Sequence, residues 1–116
     1  MTDREYNMKV ANTILQQLGG NRFLTMTGSD KLTVINNGLR MNLRRNKSKA
    51  NMLEIKLNPM DEYEMEFKKF IPGKLNKKTY EYSEAKIETV KRYDGVYFDM
   101  LQEIFTSETG MYTKLF

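Results

Sequence analysis

The chain has 116 residues and a net charge of +4, with 40% hydrophobic residues and neither cysteine nor histidine. Its length suits one domain around one core, and its apolar content is too high for a disordered chain. The missing residue types exclude disulfides, thiolate nucleophiles, a Ser-His-Asp triad and the usual zinc sites.

No apolar run approaches the length that spans a membrane. The start, MTDREYNMKV, lacks the apolar stretch of a secretory signal. The expectation is a cytoplasmic protein with no membrane partner and no cofactor. Only carboxylates, Lys, Arg, Tyr, Ser and Thr remain for catalysis, so a non-enzymatic role is expected.

Residues 4–18 place Tyr6, Val10, Ile14 and Leu18 four apart, with Ala11 and Leu15 beside them. This spacing predicts an amphipathic helix. Thr2 or Asp3 would cap it, and Gly19-Gly20 would stop it.

Two runs rich in Thr, Val, Ile and Phe follow, on either side of Gly28-Ser29-Asp30. They read as strands joined by a three-residue turn. Asn37-Gly38 reads as a second hairpin turn of type I′. The two turns together pair Met26 with Leu32, Leu24 with Val34, Val34 with Met41 and Leu32 with Leu43. Both registers put the apolar side chains on one face, and a one-residue slip would reverse them.

A fourth strand, Met52 to Leu57, alternates Leu53, Ile55 and Leu57 with Glu54 and Lys56. A fifth, Glu62 to Lys68, alternates Tyr63, Met65 and Phe67 with charged residues. Asn58 to Asp61 turn between them, since Pro59 cannot continue a central strand. The result is an antiparallel meander over residues 21–69 with one apolar and one polar face.

Ile71 to Lys78 reads as a basic loop. Residues 79–93 fit either a short helix capped by Ser83 or a strand from Ile87 to Tyr93, and Thr89, Val90 and Tyr93 tip the reading to strand. Asp94 would open a last helix near 95–108, with Tyr97, Leu101, Ile104 and Phe105 on its buried side and Gly110 closing it. The tail, residues 111–116, is apolar enough to pack back on the domain. The predicted fold is a single α+β domain over 1–116, with both helices on one face of about five antiparallel strands.

The charge is unevenly placed. Arg40, Arg44, Arg45, Lys47 and Lys49 fall together without an acidic neighbour, and Asp61, Glu62, Glu64 and Glu66 follow as an acidic block. Pairing Leu43 with Leu53 would set Arg40 against Lys56. Pairing Leu43 with Ile55 sets Arg44 against Glu54 and is preferred. On that reading the basic run is the solvated side of a hairpin. The functional reading uses Arg45, Lys47 and Lys49, which have no partner in that pairing, as phosphate contacts with Arg40 and Arg44 beside them. Phe23, paired with Ile35 and through it with Arg40, would offer a ring for stacking bases. The competing reading buries Phe23 and Ile35 beneath residues 79–93 or the tail.

Three segments, ANTILQQLGGNRFLTMTG, NMLEIKLNPMDEYEMEF and DGVYFDMLQEIFTSETGMYTKL, resemble short accessory proteins carried by bacterial prophages and integrative elements. The resemblance spans nearly the whole chain, carries no catalytic motif and implies DNA handling, its regulation, or the countering of host defences. Two functional classes follow. The first is a nucleic-acid-binding module using the basic loop. The second is a protein that inhibits a host nuclease or another defence enzyme by presenting Asp61, Glu62, Glu64, Glu66, Asp99 and Glu103 to a basic cleft. A hard-cation enzyme built on residues 61–66 has too few converging ligands.

Overall fold

The computed structural model describes residues 3–112. Helix α1 (Asp3–Leu18) buries Val10, Ala11, Ile14 and Leu18, as the four-residue spacing requires. Asp3 lies in its first turn, and Thr2 is outside the described residues. Gly19, at φ 126°, breaks the helix. From the last helix, α3 (Leu101–Thr109), Gln102 Nε2 donates to the carbonyls of Gln17 and Leu18, which have no partner within their own helix.

Residues 21–27 are not a strand. They belong to a second helix, α2 (Gly20–Thr27), which turns Phe23 and Thr27 into the core. Those two residues are four apart, a helical spacing, whereas the strand reading followed Leu24 and Met26. Gly28 adopts φ 68° and donates its N–H to the Leu24 carbonyl, so it closes a helix instead of turning a hairpin. The buried Thr27 hydroxyl bonds back to the Phe23 carbonyl at 2.8 Å.

The sheet is an antiparallel meander of five strands. Its order is β1 (Asp30–Ile35), β2 (Gly38–Asn42), β3 (Met52–Leu57), β4 (Tyr63–Ile71) and β7 (Lys86–Val96). A small hairpin, β5 (Lys74–Leu75) with β6 (Tyr82–Ser83), interrupts the expected basic loop between β4 and β7. The meander therefore runs over 30–96 and not 21–69: a helix replaces its first expected strand and β7 supplies its last. Residues 86–96 are strand, not helix.

The expected β1–β2 and β2–β3 registers are both corrected. The β1–β2 turn is Asn36-Asn37, and only Asn37 has positive φ, which rules out type I′. Val34 thus faces Leu39, not Met41. The shift preserves the face, but β1 lies at the edge, and Leu32 and Val34 stay 39% and 45% exposed. Between β2 and β3, Arg40 opposes Glu54 and Met41 opposes Leu53. Leu43 lies beyond the strand and its N–H donates to the Asn51 carbonyl, so the connection is shorter than either expected register required.

The helices cover one face, where Leu39, Met41, Leu53, Ile55, Met65 and Phe67 are buried. Phe105 stands at the centre. Its ring meets Phe23 edge-on at 4.9 Å and Phe67 at 6.5 Å, and Tyr93 flanks Phe67 at 6.1 Å. Each buried phenylalanine contributes about 1.5–3 kcal/mol. Asp94 does not open the last helix. Strand β7 continues to Val96, a short 3-10 turn covers Phe98–Met100, and α3 is Leu101–Thr109. Tyr97, expected on the buried side, is 53% exposed. Gly110 closes α3 at φ 76° as expected. Met111 packs on the core, and the rest of the tail from Thr113 lies outside the described residues. No helix among the described residues is long and apolar enough to cross a membrane.

Candidate nucleic-acid interface

The connection from Leu43 to Asn51 is built around Asn46. Its amide donates to the carbonyls of Arg44 at 2.7 Å and Ala50 at 2.8 Å. Its Oδ1 accepts the Ser48 N–H at 2.9 Å and the Ser48 hydroxyl. Ser48 Oγ in turn accepts the Ala50 N–H at 3.1 Å. Short polar side chains closing local turns in this way hold a loop in one shape. Lys49 adopts φ 66° to complete it.

Two further bonds fix the loop to the domain. The Lys47 N–H donates to the Thr109 carbonyl at 3.1 Å, satisfying a carbonyl at the end of α3. The negative end of that helix also favours a cation nearby. The Asn51 N–H donates to the Lys68 carbonyl at 3.0 Å.

So held, Arg45, Lys47 and Lys49 stand exposed around a cleft of about 590 Å³ whose far wall is Lys69. No acidic residue lines it. Among the described residues, none of the four cations forms an ion pair. Three of them were expected from the sequence. Lys69 belongs to a second basic stretch, Lys68 to Lys78, whose distance from the loop the sequence left open; the fold brings Lys69 to the cleft, on the opposite face of β4 from Lys68.

Arg44 is separated from this group. It packs over Gly28 and lines a second recess on the open face of the sheet with Asn42, Met52 and Phe70. Arg40 is occupied, since its guanidinium meets Glu54 at 2.6 Å. Phe23 offers no ring for stacking: it is fully buried in α2, and its expected row with Ile35 and Arg40 does not exist.

The open face is a chain of ion pairs. Glu54 is shared by Arg40 and Lys68, Lys68 also meets Glu66 at 3.0 Å, and Arg92 joins Glu64, Glu66 and Asp94. Burial pushes the Glu54 carboxyl up, but hydrogen bonds and attraction from Lys68 and Arg40 outweigh it and hold the group below its ordinary value. Burial alone would lower Lys68, yet Glu54 and Glu66 raise it. The expected acidic surface is therefore divided. Glu64 and Glu66 are neutralised within the sheet, while Asp61 in its turn and Asp99 and Glu103 near α3 are exposed and Glu62 is half-buried. Among the described residues, no three acidic side chains converge to hold a metal ion.

No family model, curated protein or solved structure matches the chain.

Proposed function

We propose that this chain is a non-enzymatic nucleic-acid-binding module whose cleft, formed by Arg45, Lys47, Lys49 and Lys69, holds backbone phosphates. The role is that of an accessory protein of the prophage type, acting in the cytoplasm of a bacterial host. One observation carries the reading. Four cations from two segments of the chain, with no ion-pair partner among the described residues, surround one acid-free cleft, while Arg40, Lys68 and Arg92 on the neighbouring sheet face are held in internal ion pairs. A merely solvated hairpin gives no reason for that division. Contacts of this kind read phosphate and sugar, so binding is salt-sensitive and tolerant of sequence.

The test is fluorescence anisotropy with labelled single-stranded and duplex DNA and RNA between about 50 and 200 mM salt. Replacing Arg45, Lys47 and Lys49 together by Gln should weaken binding and flatten the single-strand salt slope by about two units. Unchanged affinity in the triple variant removes the loop, and a parent chain that binds none of the probes overturns the reading.

The competing reading, an inhibitor of a host defence enzyme, rests on Asp61, Glu62, Asp99 and Glu103, because Glu64 and Glu66 already have partners. A protein captured by the parent but not by an Asp99→Asn, Glu103→Gln variant would favour it.

A further inference from the structure

The phosphate cleft leaves the second recess without a role. The recess measures about 270 Å³ and opens on the polar side of the sheet. Phe70 lines it, 40% exposed, at the end of β4. Alternation along β4 places Phe70 on the same face as Lys68, and the pairing of Lys68 with Met52 and of Met52 with Asn42 brings those side chains alongside. Phe70 pairs with Ile87 of β7 on one side, and on the other, where β3 has not begun, the Asn51 side chain takes the place of a strand. Its Oδ1 accepts the Phe70 N–H at 2.7 Å and its Nδ2 donates to the Phe70 carbonyl at 2.9 Å. The ring is thus carried on a fixed backbone.

The surroundings have the chemistry of a base site. Phe70 and Met52 are apolar, Arg44 and Lys31 supply positive charge, and the Asn42 amide has no partner among the described residues. Asp30 also lines the recess. Its carboxylate repels phosphate but accepts hydrogen bonds from the amino group of a base. The volume is below the range of pockets for drug-sized ligands, and suits one flat heterocycle.

We infer that this recess receives one unpaired base of a single-stranded nucleic acid, stacked on Phe70, with Arg44 and Lys31 meeting the adjoining phosphates. This rests on the nucleic-acid reading and extends it. Lys69 and Phe70 point to opposite sides of β4, and Asn51 lines both the cleft and the recess. A strand held by Arg45, Lys47, Lys49 and Lys69 that turns this corner delivers its next base to Phe70. A flexible single strand makes that turn, whereas a duplex would first have to unstack and unpair the base.

The test compares Phe70→Leu and Phe70→Trp with the parent, using a thymidine oligonucleotide, the matching uridine oligonucleotide, the same DNA backbone without bases, and a duplex. Thermal melts check that both variants fold. Phe70→Leu should weaken binding to the base-bearing single strands about 5- to 150-fold. It should leave the salt slope and the affinity for the base-free strand unchanged. Phe70→Trp should restore tight binding. The chain contains no tryptophan, so that variant also carries a single reporter, whose fluorescence should be quenched by base-bearing strands and not by the base-free one. Equal losses on DNA and RNA assign recognition to the base, and a loss on one alone assigns it to a base presented by that sugar. If Phe70→Leu binds like the parent while the Arg45, Lys47 and Lys49 variant fails, stacking is overturned and the cleft stands. If the parent binds no nucleic acid, both fall together.

Discussion

Glu54 is 4% exposed on a sheet face that no helix covers, because Arg40 and Lys68 close over it. Its carboxyl is lowered from 4.5 by these partners. A lowered acid stabilises the fold at pH above its unfolded value and loses that contribution as the pH falls through the folded one. Glu54→Gln should therefore cost about 1–3 kcal/mol near neutral pH. It should also flatten the decline of stability below about pH 4.5, as followed by urea denaturation at several pH values. An unchanged acid limb would show that Glu54 is not the group that titrates. Lys49 is the opposite case, a strained backbone at the proposed site. A lysine at φ 66° is strained, and Lys49→Gly relieves that while removing a cleft cation. Stability should stay level or rise by up to about 1 kcal/mol while affinity for nucleic acid falls; a fall in both would make Lys49 a structural residue. The sequence showed that Glu54 needs a cation across the strand. It did not show which arginine, because that choice depends on the length of the 43–51 connection. The internal hydrogen bonds of Asn46 that set that length are invisible to pairing rules.

At the scale of elements, signals that depend on neighbours in sequence were readable. Those that depend on closure in space were not. The spacing of Val10, Ile14 and Leu18, the alternation of β3 and β4 and the stop at Gly110 are local, and each expectation held. Gly28 could end a helix or turn a hairpin, and only the burial of Phe23 against Phe105 decides between them. Asp94 looks like a helix cap but its side chain bonds Arg92 at 2.9 Å, while Val96 pairs with Tyr63 and prolongs the strand. Gly38 is the sharpest case. The sequence suggests a glycine chosen for positive φ, but that conformation falls to Asn37, whose N–H is held by Asn7 of α1 at 2.9 Å. A side chain at Gly38 would lie 2.2 Å from the Ile55 carbonyl oxygen, which is backbone and cannot swing away. Gly38→Ala should accordingly cost more than about 2 kcal/mol by forcing β2 from β3. A denaturation midpoint like that of the parent would mean that the two strands separate without penalty.

The whole molecule is extended, 50 × 37 × 24 Å with a radius of gyration of 15.7 Å, against about 13 Å for a compact chain of this length. The outer halves of β4 and β7, tipped by β5 and β6, reach beyond the helices and are exposed along most of their length. Where this arm leaves the core, the 43–51 connection meets β4, so the cleft and the recess both lie at that junction. This explains why the candidate site was only half legible. Arg45, Lys47 and Lys49 are close in the chain, but Lys69 and Phe70 lie beside them only through the fold, and the exposed aromatic there is Phe70 and not the buried Phe23. Whether nucleic acid binds at the junction is tested by amide chemical-shift mapping of the ¹⁵N-labelled chain during titration with a single-stranded oligonucleotide. Shifts should concentrate at residues 44–51, at Lys69 and Phe70, at Lys31 and at the Thr109–Gly110 end of α3. Shifts confined to residues 97–103, or spread without focus over the arm, would contradict binding at the junction.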